Sequence, residues 1–161
     1  MTKLEKAIKY ANAQVSNRSV YVWGGQGEKL SKFKALQLAK MENSAENAAR
    51  VIRFIFTHLK EFTKATKIFD CSGLICCILI YAKVLAKGSD ATAADLYTMF
   101  NRVAIKYRQA GDLVYKVENG KIVHVGFVLD PNTIIESKGR DVGVVKSKFE
   151  NSWTLCNRPE Y

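Results

Sequence analysis

One segment, residues 72–86, is apolar on almost every side and constrains the fold more than any other feature of the chain. As a helix it has no polar face, and such a helix is stable only when other elements cover it all round. Its longest apolar run, residues 74–82, is far shorter than the roughly 20 residues that span a bilayer. We therefore expect a buried central helix and no transmembrane segment.

Helical periodicity surrounds this segment, and strand-like alternation follows it. Apolar spacing predicts further helices at 3–15, 31–41, 45–60 and 92–102. Extended segments are predicted at 21–23, 112–115, 121–129, 133–137 and 142–145, with turns at Asn119-Gly120 and Asp130-Pro131-Asn132. Helices first and an antiparallel meander afterwards predict an α+β fold, with N-terminal helices packed on a central antiparallel sheet. A chain of 161 residues without a linker or repeat fits a single domain, 1–161.

The chain is basic, with 25 Lys and Arg against 15 Asp and Glu and a formal net charge of +10. This charge favours polyanions, either nucleic acid or an anionic wall or membrane surface, and it also favours plain solubility. The Lys residues are dispersed and do not form a basic tail. Because no zinc finger, phosphate-binding glycine loop or basic recognition helix is present, we expect no nucleic-acid partner.

Four Cys and two His do not follow the spacing of a structural zinc site, so we expect no metal and no cofactor. Three of the Cys fall within seven residues and cannot easily pair with one another, which favours a reducing compartment. The first 15 residues carry charges throughout and have no apolar core of signal-peptide length. We therefore expect cytoplasmic synthesis without a signal peptide. The sequence leaves the oligomeric state open.

Cys71 stands at the predicted start of the apolar helix. Unpaired backbone N–H groups and the positive end of the helix dipole stabilise a thiolate at such a position. A thiolate is the nucleophilic form of cysteine, so Cys71 is a candidate catalytic nucleophile. A small buried core residue is the alternative for a cysteine considered alone.

His124 lies within an apolar strand, where histidine is uncommon. Strand alternation predicts that it shares a face with Ile122, Gly126 and Val128. A lone histidine there would ordinarily be a hydrogen-bonded core residue. Together with Cys71 it can act as the general base and acid of a cysteine hydrolase. The second histidine, His58, is predicted to be a surface or packing residue.

Glu136 is a candidate third member of this group. If residues 130–132 form a three-residue loop, Leu129 pairs with Thr133 and Gly126 pairs with Glu136. His124 is then the diagonal neighbour of Glu136 on one face of the sheet, and Gly126 leaves space for the carboxylate. A carboxylate there would orient the imidazole and stabilise its protonated form.

Four short motifs in this order resemble those of the NlpC/P60 family, papain-like peptidases of bacterial cell walls. They are YVWGG at 21–25, DCSGL at 70–74, GDLV at 111–114 and HVG at 124–126. The similarity covers about residues 3–146. It implies that Cys71 is the nucleophile and His124 the base. We assign substrate and oxyanion contacts to four further residues: Tyr21, Trp23, Asp70 and Ser72.

The chain departs from the family pattern in two places. About 45 residues separate YVWGG from Cys71, where the family usually has a short link, so a helical insertion is predicted at about 28–68. The third polar position is often His in the family and is Glu136 here. The resemblance implies hydrolysis of peptidoglycan stem peptides through a thioester, commonly between D-glutamate and a diamino acid.

Other functions stay open. An N-acetylmuramoyl-L-alanine amidase or an acyltransferase could use the same residues, and a non-catalytic wall-binding module could keep the fold. The long insertion and the absence of a signal peptide resemble phage endolysins and tail-associated wall hydrolases. Such an enzyme would bind peptidoglycan and anionic wall polymers, and it would reach the wall through a holin or as part of a virion.

Overall fold

The computed structural model describes residues 1–161 and contains five α-helices. Their bounds are α1 Lys3–Ser16, α2 Lys32–Ala39, α3 Ala45–Thr57, α4 Cys71–Tyr81 and α5 Ala93–Met99. Short 3₁₀ turns follow α3 at Leu59–Glu61 and α5 at Ile105–Tyr107. The helix predicted at 72–86 ends at Tyr81, because Lys83 has a left-handed backbone with φ 61° and cannot continue it. The last predicted helix is also shorter, since α5 gives way to a strand after Phe100.

Nine strands form two sheets. The bounds are β1 Val20–Tyr21, β2 Gln26–Lys29, β3 Lys67–Phe69, β4 Asn101–Arg102, β5 Leu113–Glu118, β6 Lys121–Asp130, β7 Thr133–Gly139, β8 Gly143–Lys148 and β9 Trp153–Arg158. The large sheet is antiparallel, in the order β4-β9-β5-β6-β7-β8. The small sheet has the order β1-β3-β2, with β1 and β3 parallel. The α+β prediction is confirmed.

The apolar helix α4 lies in the main core, as its composition predicts. It packs with α1, α5 and one face of the large sheet in a cluster of 18 buried residues. Leu74, Ile75, Ile78 and Leu79 are completely inaccessible to solvent. Burial of such side chains stabilises the fold by about 1.5–3 kcal/mol each. None of the helices has the length and hydropathy needed to cross a bilayer.

Helices α2 and α3 form a second, smaller core against the small sheet. The eight buried residues of this cluster are Val20, Val22, Ala35, Leu38, Ala39, Val51, Ile55 and Ile68. Both helices are capped by serine, Ser31 for α2 and Ser44 for α3, whose hydroxyls accept backbone N–H bonds. The segment between β2 and β3 therefore covers the side of the small sheet that carries Val20 and Ile68.

The two hairpins around β6 set the register of the large sheet. Asn119 and Gly120 both have positive φ, 49° and 74°, as their two-residue turn requires. A bulge at Val123 breaks the strand alternation, so Ile122 packs against the main core instead of sharing a face with His124, contrary to the prediction.

The hairpin between β6 and β7 also differs in detail from the prediction. Its turn has two residues, not three, because Asp130 pairs with Thr133 and Leu129 is the extra residue of a bulge. Beyond the bulge Phe127 pairs with Ile135, so the register in the middle of the hairpin is the predicted one.

Candidate active site

Cys71 is the first residue of α4, and the preceding loop is packed tightly against it. The Asp70 carboxylate caps the helix by accepting N–H bonds from Gly73 at 2.7 Å and from Gly24 at 3.0 Å. A Cβ atom on Gly73 would collide with the Gly25 carbonyl oxygen. The glycines of YVWGG and DCSGL thus allow the two motifs to meet at Cys71.

The start of α4 also offers hydrogen-bond donors. The first intrahelical bond runs from the Leu74 N–H to the Asp70 carbonyl, so the N–H groups of Cys71 and Ser72 have no partner within the helix. Because the helix dipole is positive at this end, these donors are suited to a developing negative charge beside the thiol.

His124 and Glu136 form a hydrogen-bonded pair, with His124 Nε2 2.7 Å from Glu136 Oε2. The Glu136 side chain is 2% exposed and that of His124 is 15% exposed. With Nε2 bound to the carboxylate, Nδ1 is the ring nitrogen left for the thiol. The register of the β6–β7 hairpin thus brings His124 and Glu136 together, as the sequence predicts.

Electrostatics favour the ionised forms of this pair. Burial acts to lower the pKa of His124, but hydrogen bonds and charge interactions with Cys71 and Glu136 outweigh it and raise the pKa to about 9. Burial acts to raise the pKa of Glu136, but hydrogen bonds from His124 and Ser147 hold it below its usual range. The site therefore favours an imidazolium beside a carboxylate at neutral pH.

Trp153 supports the imidazole from the side. The two rings stack with centroids 5.4 Å apart, and Trp153 is buried. A Cβ on Gly126 would collide with Ile134 and approach the Trp153 ring. The space over Gly126 is thus filled by apolar side chains and not by the Glu136 carboxylate, which corrects the prediction for this glycine.

Cys71, His124 and Glu136 line one cavity of about 380 Å³. Its other lining residues are Tyr21, Lys116, Glu118, Val123, Lys138, Gly139 and Arg140. Three cationic side chains face two carboxylates here, and one of those carboxylates is paired with His124. The cavity is therefore suited to a substrate that carries negative charge.

Tyr21 is the member of the predicted substrate set that lines this cavity. Burial first, and then the neighbouring Cys71, raise the pKa of Tyr21 to about 12, so its hydroxyl stays a hydrogen-bond donor. Asp70 and Ser72 lie at the helix cap, where the Ser72 hydroxyl donates to Asp70. Trp23 is 47% exposed and does not line the cavity. Substrate contact by these three residues stays a prediction.

A larger cavity of about 620 Å³ lies elsewhere, between α1, α3 and the turn after β7. It includes His58, whose Nδ1 lies 2.8 Å from the Phe54 carbonyl oxygen. The Ser19 hydroxyl also lines it but donates to Gln14 Oε1 and not to His58. We place the active site at the smaller cavity, because it is lined by Cys71, His124 and Glu136, and reactive side chains identify an active site better than cavity volume does. No group of three or more His, Cys, Asp or Glu side chains is arranged to hold a metal ion.

The model of the NlpC/P60 family matches residues 18–156, which is most of the chain. The chain belongs to the NlpC/P60 family. Members of this family are cysteine peptidases and peptidoglycan hydrolases. A search of curated proteins gave no match.

Solved NlpC/P60 structures share the fold. The peptidoglycan hydrolase RipB from Mycobacterium tuberculosis is 23% identical, with a TM-score of 0.66, over 99% of this chain and 66% of that one. The P60 domain of an antigen from M. avium subspecies paratuberculosis is 20% identical, with a TM-score of 0.61, over 99% and 96%. The NlpC/P60 domain of the peptidoglycan hydrolase SagA is 15% identical, with a TM-score of 0.59, over 96% and 97%. This chain thus spans about two thirds of the RipB structure and nearly all of the two isolated domains.

Sequence reasoning missed the cationic wall of this NlpC/P60 site. Lys116, Lys138 and Arg140 belong to no motif and do not differ in sequence context from the other basic residues. Alternation along β5 and β7 could have placed Lys116 and Lys138 at one end of the sheet. No sequence signal distinguishes Arg140, because its position depends on a contact with a distant segment.

Proposed function

We propose that this protein is a peptidoglycan hydrolase that cleaves an amide bond of the wall stem peptide through a Cys71 thioester. The observation that carries the proposal is the His124–Glu136 pair, which shares a cavity with a cysteine at a helix N-terminus. RipB and SagA are described as peptidoglycan hydrolases, which supports the same substrate class.

In the first half-reaction the Cys71 thiol proton passes to His124, and the sulfur attacks the carbonyl carbon and forms a tetrahedral oxyanion. In this proposal the N–H groups at the start of α4 and the Tyr21 hydroxyl donate to it. His124 protonates the leaving amine, the C–N bond breaks and a thioester remains. His124 then takes a proton from water, whose oxygen attacks the thioester. The C–S bond breaks, the acid is released, and His124 returns its proton to the Cys71 sulfur. Glu136 stabilises the imidazolium throughout.

The bond we propose is the one between D-glutamate and the diamino acid. The cationic wall formed by Lys116, Lys138 and Arg140 supports this choice, because glutamate has two carboxyl groups and keeps one free when the other forms the amide bond. We further propose that residues 28–68 are an insertion within a single catalytic domain. We also propose a phage origin, with delivery by a holin or a virion, because the long insertion resembles that of phage lysins. The net charge of +10 supports attraction to anionic wall polymers.

The test is digestion of purified peptidoglycan by the wild type and by Cys71→Ala, with mass spectrometry of the released fragments. Cys77→Ala is the matched control, since Cys77 lies further along α4 and outside the cavity. We expect the wild type and Cys77→Ala to release peptides cut after D-glutamate, and Cys71→Ala to release none. Release of whole stem peptides would instead identify an amidase. An inert wild type that still binds the wall would reject catalysis and favour a binding module.

A further inference from the structure

A buried carboxylate, Glu42, links the helical segment to the active site. It lies in the connection between α2 and α3, and its side chain is fully inaccessible to solvent. One oxygen accepts the backbone N–H of Trp23 at 3.1 Å. The other accepts two bonds from Arg140, from Nε at 3.0 Å and from Nη2 at 2.6 Å. A buried carboxylate that is paired in this way fixes the position of its partner.

Arg140 carries the effect of this contact into the cavity. It follows β7, lines the cavity with Cys71 and His124, and its side chain is 16% exposed. Its guanidinium lies over the Tyr21 ring, 5.2 Å from the centroid. Glu42 binds Nε and Nη2, which leaves Nη1 free to donate to a ligand. Without Glu42 the flexible side chain would keep only its contact with the Tyr21 ring, which does not fix the direction of its N–H groups.

We propose that Glu42 is a positioning residue of the active site, which holds the Arg140 guanidinium on the cavity wall so that the segment before Cys71 sets how tightly substrate binds. Arg140 is then a specificity-determining residue that contacts an anionic group of the substrate. This inference rests on the proposed function, because that function supplies the substrate.

A second ion pair in the same region provides a matched control. Arg50 of α3 binds Asp141, the residue next to Arg140, so this pair also joins the helical segment to the turn after β7. Neither residue lines the active-site cavity. Loss of this pair removes a similar link between the two segments without touching the wall of the site.

The experiment compares Glu42→Gln with Asp141→Asn, using hydrolysis of a soluble stem peptide for steady-state kinetics and thermal unfolding to check the fold. Gln still accepts the Trp23 N–H but loses the ionic bond to Arg140. We expect KM to rise about tenfold in Glu42→Gln while kcat stays within about twofold, since Arg140 binds substrate and not the reacting atoms. Asp141→Asn is expected to leave both constants within about twofold.

A double-mutant comparison of Glu42 and Arg140 tests the inference more directly than the single variants do. In an Arg140→Gln background, adding Glu42→Gln should raise KM no further, because Glu42 acts through Arg140. Arg140→Lys keeps the charge but not the forked geometry, and its position in a partly exposed turn favours normal folding; it should also raise KM with little change in kcat.

Three results would overturn the inference. They are an unchanged KM in Glu42→Gln and Arg140→Lys, an equal rise in Asp141→Asn, and additive effects of the Glu42 and Arg140 substitutions. Failure of the wild type to hydrolyse any wall peptide would reject the proposed function and this inference together. Normal hydrolysis with any of those three results rejects the inference alone.

Discussion

At the scale of single residues, His124 is under opposing influences, and their balance sets its charge. Burial disfavours the imidazolium, whereas the Cys71 thiol and the Glu136 carboxylate favour it more strongly. A histidine that keeps its proton at neutral pH is suited to donate that proton to a leaving amine. Stacking on Trp153 holds the ring in the plane that both partners need.

The pH dependence of activity should reflect this balance. The pKa of His124 is raised to about 9, so the imidazolium is present at neutral pH and is lost as the pH rises through that value. We expect kcat/KM to be level between about pH 7 and 8 and to fall on the alkaline side near pH 9. Initial rates on a soluble peptide across this range test it. An alkaline fall centred near pH 6.5, the ordinary value for histidine, would contradict the assignment.

Glu136→Gln tests the carboxylate directly. Gln has the same size and still bonds to the ring, but it carries no charge to stabilise the imidazolium. We expect kcat to fall about 100-fold and the alkaline limb to move to lower pH. Glu118→Gln, which changes the other carboxylate of the cavity, is the control and should keep the limb in place. A pH profile unchanged in Glu136→Gln would show that Glu136 is not part of the catalytic group.

At the scale of elements, the start of α4 determines the position of Cys71, the proposed nucleophile. Asp70 caps the helix and also holds the Gly24 amide, so one carboxylate joins the YVWGG loop to the helix that carries Cys71. The close approach of Gly25 and Gly73 makes the junction rigid. Asp70 therefore stabilises the fold and also fixes the position of Cys71 relative to the YVWGG loop.

Asp70→Ala should weaken both properties. Loss of the cap costs about 1 kcal/mol of unfolding free energy, and the freed loop lets Tyr21 and Cys71 separate. We expect a lower Tm together with a lower kcat/KM, measured by calorimetry and peptide hydrolysis. Asp95→Ala removes the N3 carboxylate of the capping box of α5, away from the cavity. It is expected to lower Tm and leave kcat/KM unchanged, and a parallel loss of activity there would show that the effect is only global destabilisation.

At the scale of the whole molecule, the charge of +10 bears on the encounter with the wall and not on the chemistry. We expect hydrolysis of intact peptidoglycan to slow several-fold between about 50 and 300 mM NaCl, because salt screens the attraction to anionic wall polymers. A short soluble peptide, which is not tethered to those polymers, should be hydrolysed at a nearly constant rate. An equal loss on both substrates would place the salt effect inside the cavity.

The sequence alone determined the features that depend on residues close to one another along the chain. The apolar pattern predicted that α4 is a central helix with Cys71 at its start. The count of residues across a hairpin predicted that Glu136 lies beside His124. Short strands such as β3 escaped prediction, because three residues carry too little periodicity. The bulge at Val123 also escaped, since it depends on the partner strand.

Only the tertiary structure decided the wall of the site. Glu42 and Arg140 are 98 residues apart, and no local pattern links an acid in a helix connection with a base in a distant turn. Likewise, Trp153 reaches His124 because β9 inserts beside β5. Periodicity and capping act over a few residues, whereas the cavity is assembled from segments that meet only when both cores are packed. That is why the meeting of Cys71, His124 and Glu136 could be predicted from the sequence, whereas the residues that surround them could not.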